Sequence, residues 1–145
     1  MGCKALRRAR KHLGRRGVVL LILGVGKISW GASFLVDPPE PVGLQLLTQA
    51  CGLRHWAWLW IACGAVTAGS AFARIGRDRV GFIAALVPPT VWAVAYLAAV
   101  VTGSYSRGLW VAIWYLTSHV GVIMWAASVP EYSVPKPRGQ RDEAA

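Results

Sequence analysis

Four apolar stretches, at 17–36, 56–73, 80–103 and 108–129, dominate the sequence. Their length is the strongest constraint on the fold, because about 20 helical residues cross the ~30 Å hydrocarbon layer of a bilayer. They are too long for strands and lack the every-other-residue alternation of a half-buried sheet. A soluble chain would have to cover all four with amphipathic helices, and 145 residues leave little sequence to build them from. The intervening segments break helices. Asp37, Pro38, Pro39, Glu40 and Pro41 cannot continue one. A basic loop with Arg74, Arg77 and Arg79 closes the second stretch, and Asp78 is placed to cap the third helix. In 42–55, Leu44, Leu47 and Cys51 recur at helical spacing, which predicts a short amphipathic piece at the membrane surface, ended by Gly52. The expected fold is all-α: a basic cytoplasmic arm (1–16), a four-helix transmembrane bundle (17–129) and a disordered cytoplasmic tail (130–145).

Charge sets the expected orientation. The formal net charge is +10, from 16 Lys and Arg against six Asp and Glu, in a chain that is 55% hydrophobic. Thirteen of the 16 lie in the arm, the 74–79 loop or the tail. Lys and Arg collect on the cytoplasmic side, so both termini are expected inside a plasma (inner) membrane. Candidates for topology and contact with anionic lipid headgroups are Arg7, Arg8, Arg10, Lys11, Arg15, Arg16, Arg74, Arg77 and Arg79, at ~1 kcal/mol each near the surface. The arm has no aromatic residues between its charges and no reader module, so nucleic acid is not an expected partner. Trp56, Trp58, Trp60, Trp110 and Trp114 fall near the outer boundary and Trp125 near the inner one, where indoles anchor. The first stretch is longer than the apolar core of a signal peptide and reads as an uncleaved helix. Met1, Gly2 and Cys3 hint at acylation, but Leu6 stands where the myristoylation pattern requires Ser or Thr.

Motifs of soluble catalysis do not complete. Gly24, Val25, Gly26 and Lys27 look like the end of a phosphate loop, yet Leu21 replaces its first Gly and Ile28 its Ser or Thr. No dinucleotide fingerprint, nucleophile elbow or zinc-protease motif is present. Cys3, Cys51 and Cys63 lack metal spacing. Neither an enzyme nor a metal or cofactor is expected. No Asp or Glu lies in an apolar stretch. Proton-coupled exchangers commonly use such a carboxylate. The small four-helix multidrug exchangers share this size but carry a Glu in their first helix, where this chain has Lys27.

Lys27 is the most informative single residue. It sits near mid-bilayer, where a Lys costs roughly 2.5–3.5 kcal/mol on insertion scales, between Gly24 and Gly31 on one helix face. Thr67, Thr90 and His119 fall at similar depth. Pro88 and Pro89 are expected to kink the third helix and to free the carbonyls of Ala84 and Ala85. A midplane polar cluster of Lys27, Thr67, Thr90 and His119 follows, serving either as packing glue or as a polar pathway or pH-sensitive site at His119 that could also hold an anion. Ala65 and Gly69 have the spacing of a close-packing seam, within the chain or between copies.

Several local features occur together: Trp60, Ile61, Ala62, Cys63 and Gly64; Gly76, Arg77, Asp78 and Arg79 followed by Gly81 and Phe82; Pro88 and Pro89 before Trp92; and Tyr105, Ser106, Arg107 and Gly108. In these the chain resembles small four-helix membrane proteins of high-GC actinobacteria and their phages, over about positions 15–128. The resemblance implies the membrane fold and carries no activity or functional residues. Three roles fit the size, topology and charge. The first is a holin-like, oligomeric former of membrane lesions. The second is a small-solute channel or carrier using the Lys27 and His119 level. The third is a non-catalytic membrane scaffold or exclusion factor. Expected partners are the lipid bilayer, anionic headgroups and further copies of the chain.

Overall fold

The computed structural model describes residues 2–73 and 78–129, with side chains from 14 onward. Arg74, Arg77 and the tail at 130–145 lie outside the described residues, as do the side chains of Arg7, Arg8, Arg10 and Lys11. The described secondary structure is all helical. Helix α1 is Gly2–Val36, α2 is Gln45–Ala50, α3 is Leu53–Ser70 and α4 is Arg79–Val101. Helix α5 runs over Gly108–Ser128. It begins and ends α-helical, at Gly108–Trp114 and Val122–Ser128, with a π-helical segment at Tyr115–Gly121 between.

Three helices are long and apolar enough to cross a membrane: Gly14–Val36, α4 and α5, with mean hydropathies of 1.9, 1.9 and 1.4. Helix α3 falls short, because Arg54 and His55 occupy its first turn and its tryptophans score near neutral. Many large apolar side chains face outward, among them Ile22, Trp58, Phe72, Ile83, Val101, Trp110 and Trp125. A soluble protein rarely exposes so much contiguous apolar surface, and a bilayer solvates it. The fold is thus compatible with a small membrane protein.

Helix α1 breaks at Gly14, whose φ of 64° and ψ of 177° fall in a region that only glycine enters cheaply. That break separates the basic arm from the apolar span. Past it, α1 packs along α3, α3 along α4, and α4 along α5. Without a hydrophobic drive between helices in lipid, small residues at the contact let backbones approach and gain dispersion energy. The α1–α3 seam shows this. A Cβ added at Gly24 would lie 2.7 Å from the Gly64 carbonyl oxygen, and one at Gly31 would lie 2.8 Å from that of Ala57. One added at Gly64 would meet the Gly24 carbonyl oxygen at 2.8 Å.

The seam runs one residue off the expected pair. Gly64 and Ala68 face α1, while Ala65 and Gly69 face outward. Helix α4 passes through Pro88 and Pro89 without a break in its helical assignment, and both prolines are buried. Helix α2 is not a free surface element. Leu44 and Leu47 are buried in the core, and the Trp56 indole donates to the Leu47 carbonyl at 3.0 Å. Cys51, in extended conformation, ends α2, and Gly52 opens α3. Asp78 stands at the N-cap of α4 without a side-chain capping bond. Its carboxylate instead pairs with the Arg16 guanidinium at 2.9 Å, beside Phe82.

Two apolar cores result. One joins Leu20, Ala71, Phe82, Ala85, Ile123 and Ala126 at the basic end of the bundle. The other joins Phe34, Leu44, Leu47, Leu53, Ala57, Trp60, Trp92 and Tyr115 at the aromatic end. Trp60 therefore sits in the core, not in an interfacial belt; Trp58, Trp110, Trp114 and Trp125 do face outward.

Candidate functional site

Helix α5 packs on α1 chiefly through its last stretch, Val122–Ser128. Above that contact the two helices part, and a cavity of about 320 Å³ opens between them. Ile22, Leu23, Gly26, Lys27 and Trp30 line it from α1, Trp60 from α3, and Trp114, Tyr115 and His119 from α5. Its mouth is flanked by outward-facing Ile22, Trp30 and Trp114. The opening is therefore lateral, on the surface that lipid would cover.

Lys27 is the chemical centre. It is 4% exposed, held among the small residues that bring α1 against α3. Its Nζ lies 5.3 Å from the centroid of the Trp60 ring, within cation–π range. Among the described residues it makes no ion pair, the one bridge being Arg16–Asp78. The side-chain hydrogen bonds among the described residues include none from Lys27 to the carbonyls of Ala84 and Ala85. Trp60 is 3% exposed, and its buried indole nitrogen has no hydrogen-bond partner among the described residues. Lys and Trp side chains bring donors and no acceptor. A buried donor left unmatched costs about 1–3 kcal/mol.

The third wall comes from the π segment. There the hydrogen-bond ladder widens to i→i+5, a rare geometry concentrated at functional sites. It sets three rings together: His119 lies 4.8 Å from Trp114 and 5.2 Å from Tyr115, centroid to centroid. The Ser118 hydroxyl lies 2.9 Å from His119 Nδ1 and donates to the Trp114 carbonyl. Thr117 donates to the Ile113 carbonyl at 2.8 Å. The imidazole is thus fixed from one side and faces the cavity with the rest of its ring.

Of the four midplane candidates, Lys27 and His119 line this cavity together; Thr67 and Thr90 lie elsewhere. Thr67 is fully buried and donates to the Cys63 carbonyl at 2.7 Å, with the Gly81 carbonyl at 3.3 Å. Thr90 is exposed and donates to the Leu86 carbonyl at 2.8 Å. Both hydroxyls are satisfied within their own helices. Trp60, Trp114 and Tyr115 join the site although the sequence alone marks the two indoles as anchors. The clue available to a reader is that Trp60 follows Ala57 and precedes Gly64 at the spacing of one buried helix face.

No group of three or more His, Cys, Asp or Glu side chains gathers among the described residues. Cys51 and Cys63 are free thiols. Arg16 and Arg79 line a second, more open hollow with Phe82, Ile83, Leu86 and Met124 at the basic end. Bundle and cavity together belong to a small helical protein whose three long apolar helices are compatible with a membrane. No family model matches the chain, and neither does any curated protein or solved structure.

Proposed function

We propose that this is a four-span plasma-membrane protein, both termini cytoplasmic, that holds a small anionic solute between its first and last helices as a carrier does. One observation carries the reading: Lys27, 4% exposed and without an ion-pair partner among the described residues, lines a cavity beside Trp60. A cationic donor in a low-dielectric wall is matched most favourably by a ligand that supplies oxygen acceptors. No carboxylate lines the cavity to oppose a negative ligand. In the proposed orientation the Arg16–Asp78 pair lies at the cytoplasmic boundary, where positive charge accumulates. Helix α3, less apolar than its neighbours, crosses under the cover of α1 and α4.

The test is anion flux in proteoliposomes, with nitrate and acetate as probes. Wild-type protein is expected to carry at least one of them, and Lys27→Met to abolish that flux while inserting normally. Equal flux through both proteins overturns the reading.

A holin-like lesion former is the second reading. Its support is the outward small-residue face of α3 at Ala65 and Gly69, which offers a seam to a second copy. Abrupt collapse of membrane potential on induced expression supports it, and sustained normal growth at high expression overturns it.

A further inference from the structure

The shape of the cavity restricts the ligand more than its donors do. The cavity is bounded along the helix axes by packed side chains and open to the side. Below lies the core around Leu20 and Ile123, to which Leu23 also packs. Above lies the aromatic core, to which Trp60 and Tyr115 belong. The free side is the gap between α1 and α5, and what rims it is apolar: Ile22, Leu23, Gly26, Trp30 and Trp114. A cationic donor sits at the back, in Lys27, beside Trp60; hydrocarbon-compatible surface forms the mouth. A head that needs acceptors inside and a body that belongs in lipid outside describe an amphiphile.

We infer that the site takes a single-chain anionic amphiphile, with a carboxylate or phosphate head, which enters sideways from the bilayer. This rests on the anion-site reading above and narrows it. The head lies against Lys27 Nζ, with His119 beside it. The chain leaves through the gap across Gly26 and between Trp30 and Trp114. A volume of about 320 Å³ is at the lower end for a small-molecule pocket, which suits a head and the first part of a chain with the remainder in lipid. Two features fit together under this assignment. The mid-membrane lysine acquires an acceptor. Gly26 keeps open a wall in which an added Cβ would touch nothing within 4 Å.

The test uses the full chain in detergent micelles and reads tryptophan quenching, since Trp30, Trp60 and Trp114 line the site. The probes are a long-chain carboxylic acid brominated near its head, the matching alkyl phosphate and the methyl ester of the acid. Saturable quenching by the acid or the phosphate is expected, and whichever binds tighter identifies the head. Binding is expected to weaken by about tenfold or more in the ester and in Lys27→Met, the loss of a charge-assisted hydrogen bond. Lys27→Arg is expected to retain binding. Gly26→Leu grows into open space, so it keeps the fold and blocks the site, and its circular dichroism is expected to match wild type. Equal quenching by acid and ester, unchanged in Lys27→Met, overturns the inference. Acetate flux that depends on Lys27, without saturable quenching by either long-chain anion, overturns the amphiphile and leaves the small-anion site standing. Absence of both flux and saturable quenching overturns both.

Discussion

Helix α1 has two flanks, and they are built on opposite terms. Toward α3 it is closed: Gly24 and Gly31 meet Gly64, Ala68 and Ala57 so tightly that no wall atom could be added without displacing backbone. Toward α5 it is open, and Gly26, two residues from Gly24, faces empty space. The same residue type on one helix therefore serves contact on one side and vacancy on the other. The closed flank supplies rigidity, through dispersion between backbones that only glycine admits. The open flank collects everything energetically awkward: a buried lysine, an unmatched indole and a π-helical wall. A site with that content persists because the seam behind it over-determines the position of α1.

The contrast is breakable, most severely at the seam. Gly64→Leu is expected to cost about 3 kcal/mol or more, the upper range for overpacking, because its Cβ alone would sit 2.8 Å from the Gly24 carbonyl oxygen. Thermal unfolding in detergent reads this as a large fall in Tm or loss of folded material. A wild-type melt would mean the helices are not closely apposed.

Lys27→Met should move stability the other way. It removes an unmatched buried donor, and the gain is expected at about 2 kcal/mol. The same melt checks the sign, and destabilisation would show that Lys27 is structural glue.

Asp78→Asn comes next. The Arg16–Asp78 pair closes α1 on α4 at the boundary, where partial exposure and screening hold such pairs to roughly 1 kcal/mol. Adding salt to the wild type should reduce the difference between the two melts.

The smallest effect belongs to Gly26→Ala. It should gain about 0.5 kcal/mol from helix propensity and touch nothing. A loss as large as that in the seam would erase the distinction between the flanks.

Much of the architecture was legible as length. Past Gly14, each long helix matches an apolar stretch to within a few residues, and the first break falls at Pro38, Pro39 and Pro41. One pairing was legible too: counting residues from the helix start brings Lys27 and His119 to one level, and both line the cavity. Azimuth was not. Whether a mid-helix threonine faces the bundle or the lipid depends on packing, and Thr67 and Thr90 satisfy their hydroxyls on their own carbonyls wherever they face. The seam shows the same limit: small residues at 64, 65, 68 and 69 permit two registers, and only the meeting with Gly24 selects Gly64 and Ala68. Trp60 misled because an indole is common both in a belt and in a core. The π segment carries no clear signature in Tyr115–Gly121, so its contribution to the cavity appears only once the helices are assembled.

That segment has one further consequence. Down to the segment's first residue, Tyr115, α5 buries Gly108, Ala112 and Tyr115; below the segment, Ile123 and Ala126. A wider turn between them resets the angular phase of the helix, so its two halves need not share a single stripe. The aperture is therefore a matter of rotation as well as of the bulk missing at Gly26. Removing one residue between Tyr115 and Gly121 would restore the narrower helix and unwind that offset. Either half would then keep its grip on α4 only by turning the other away.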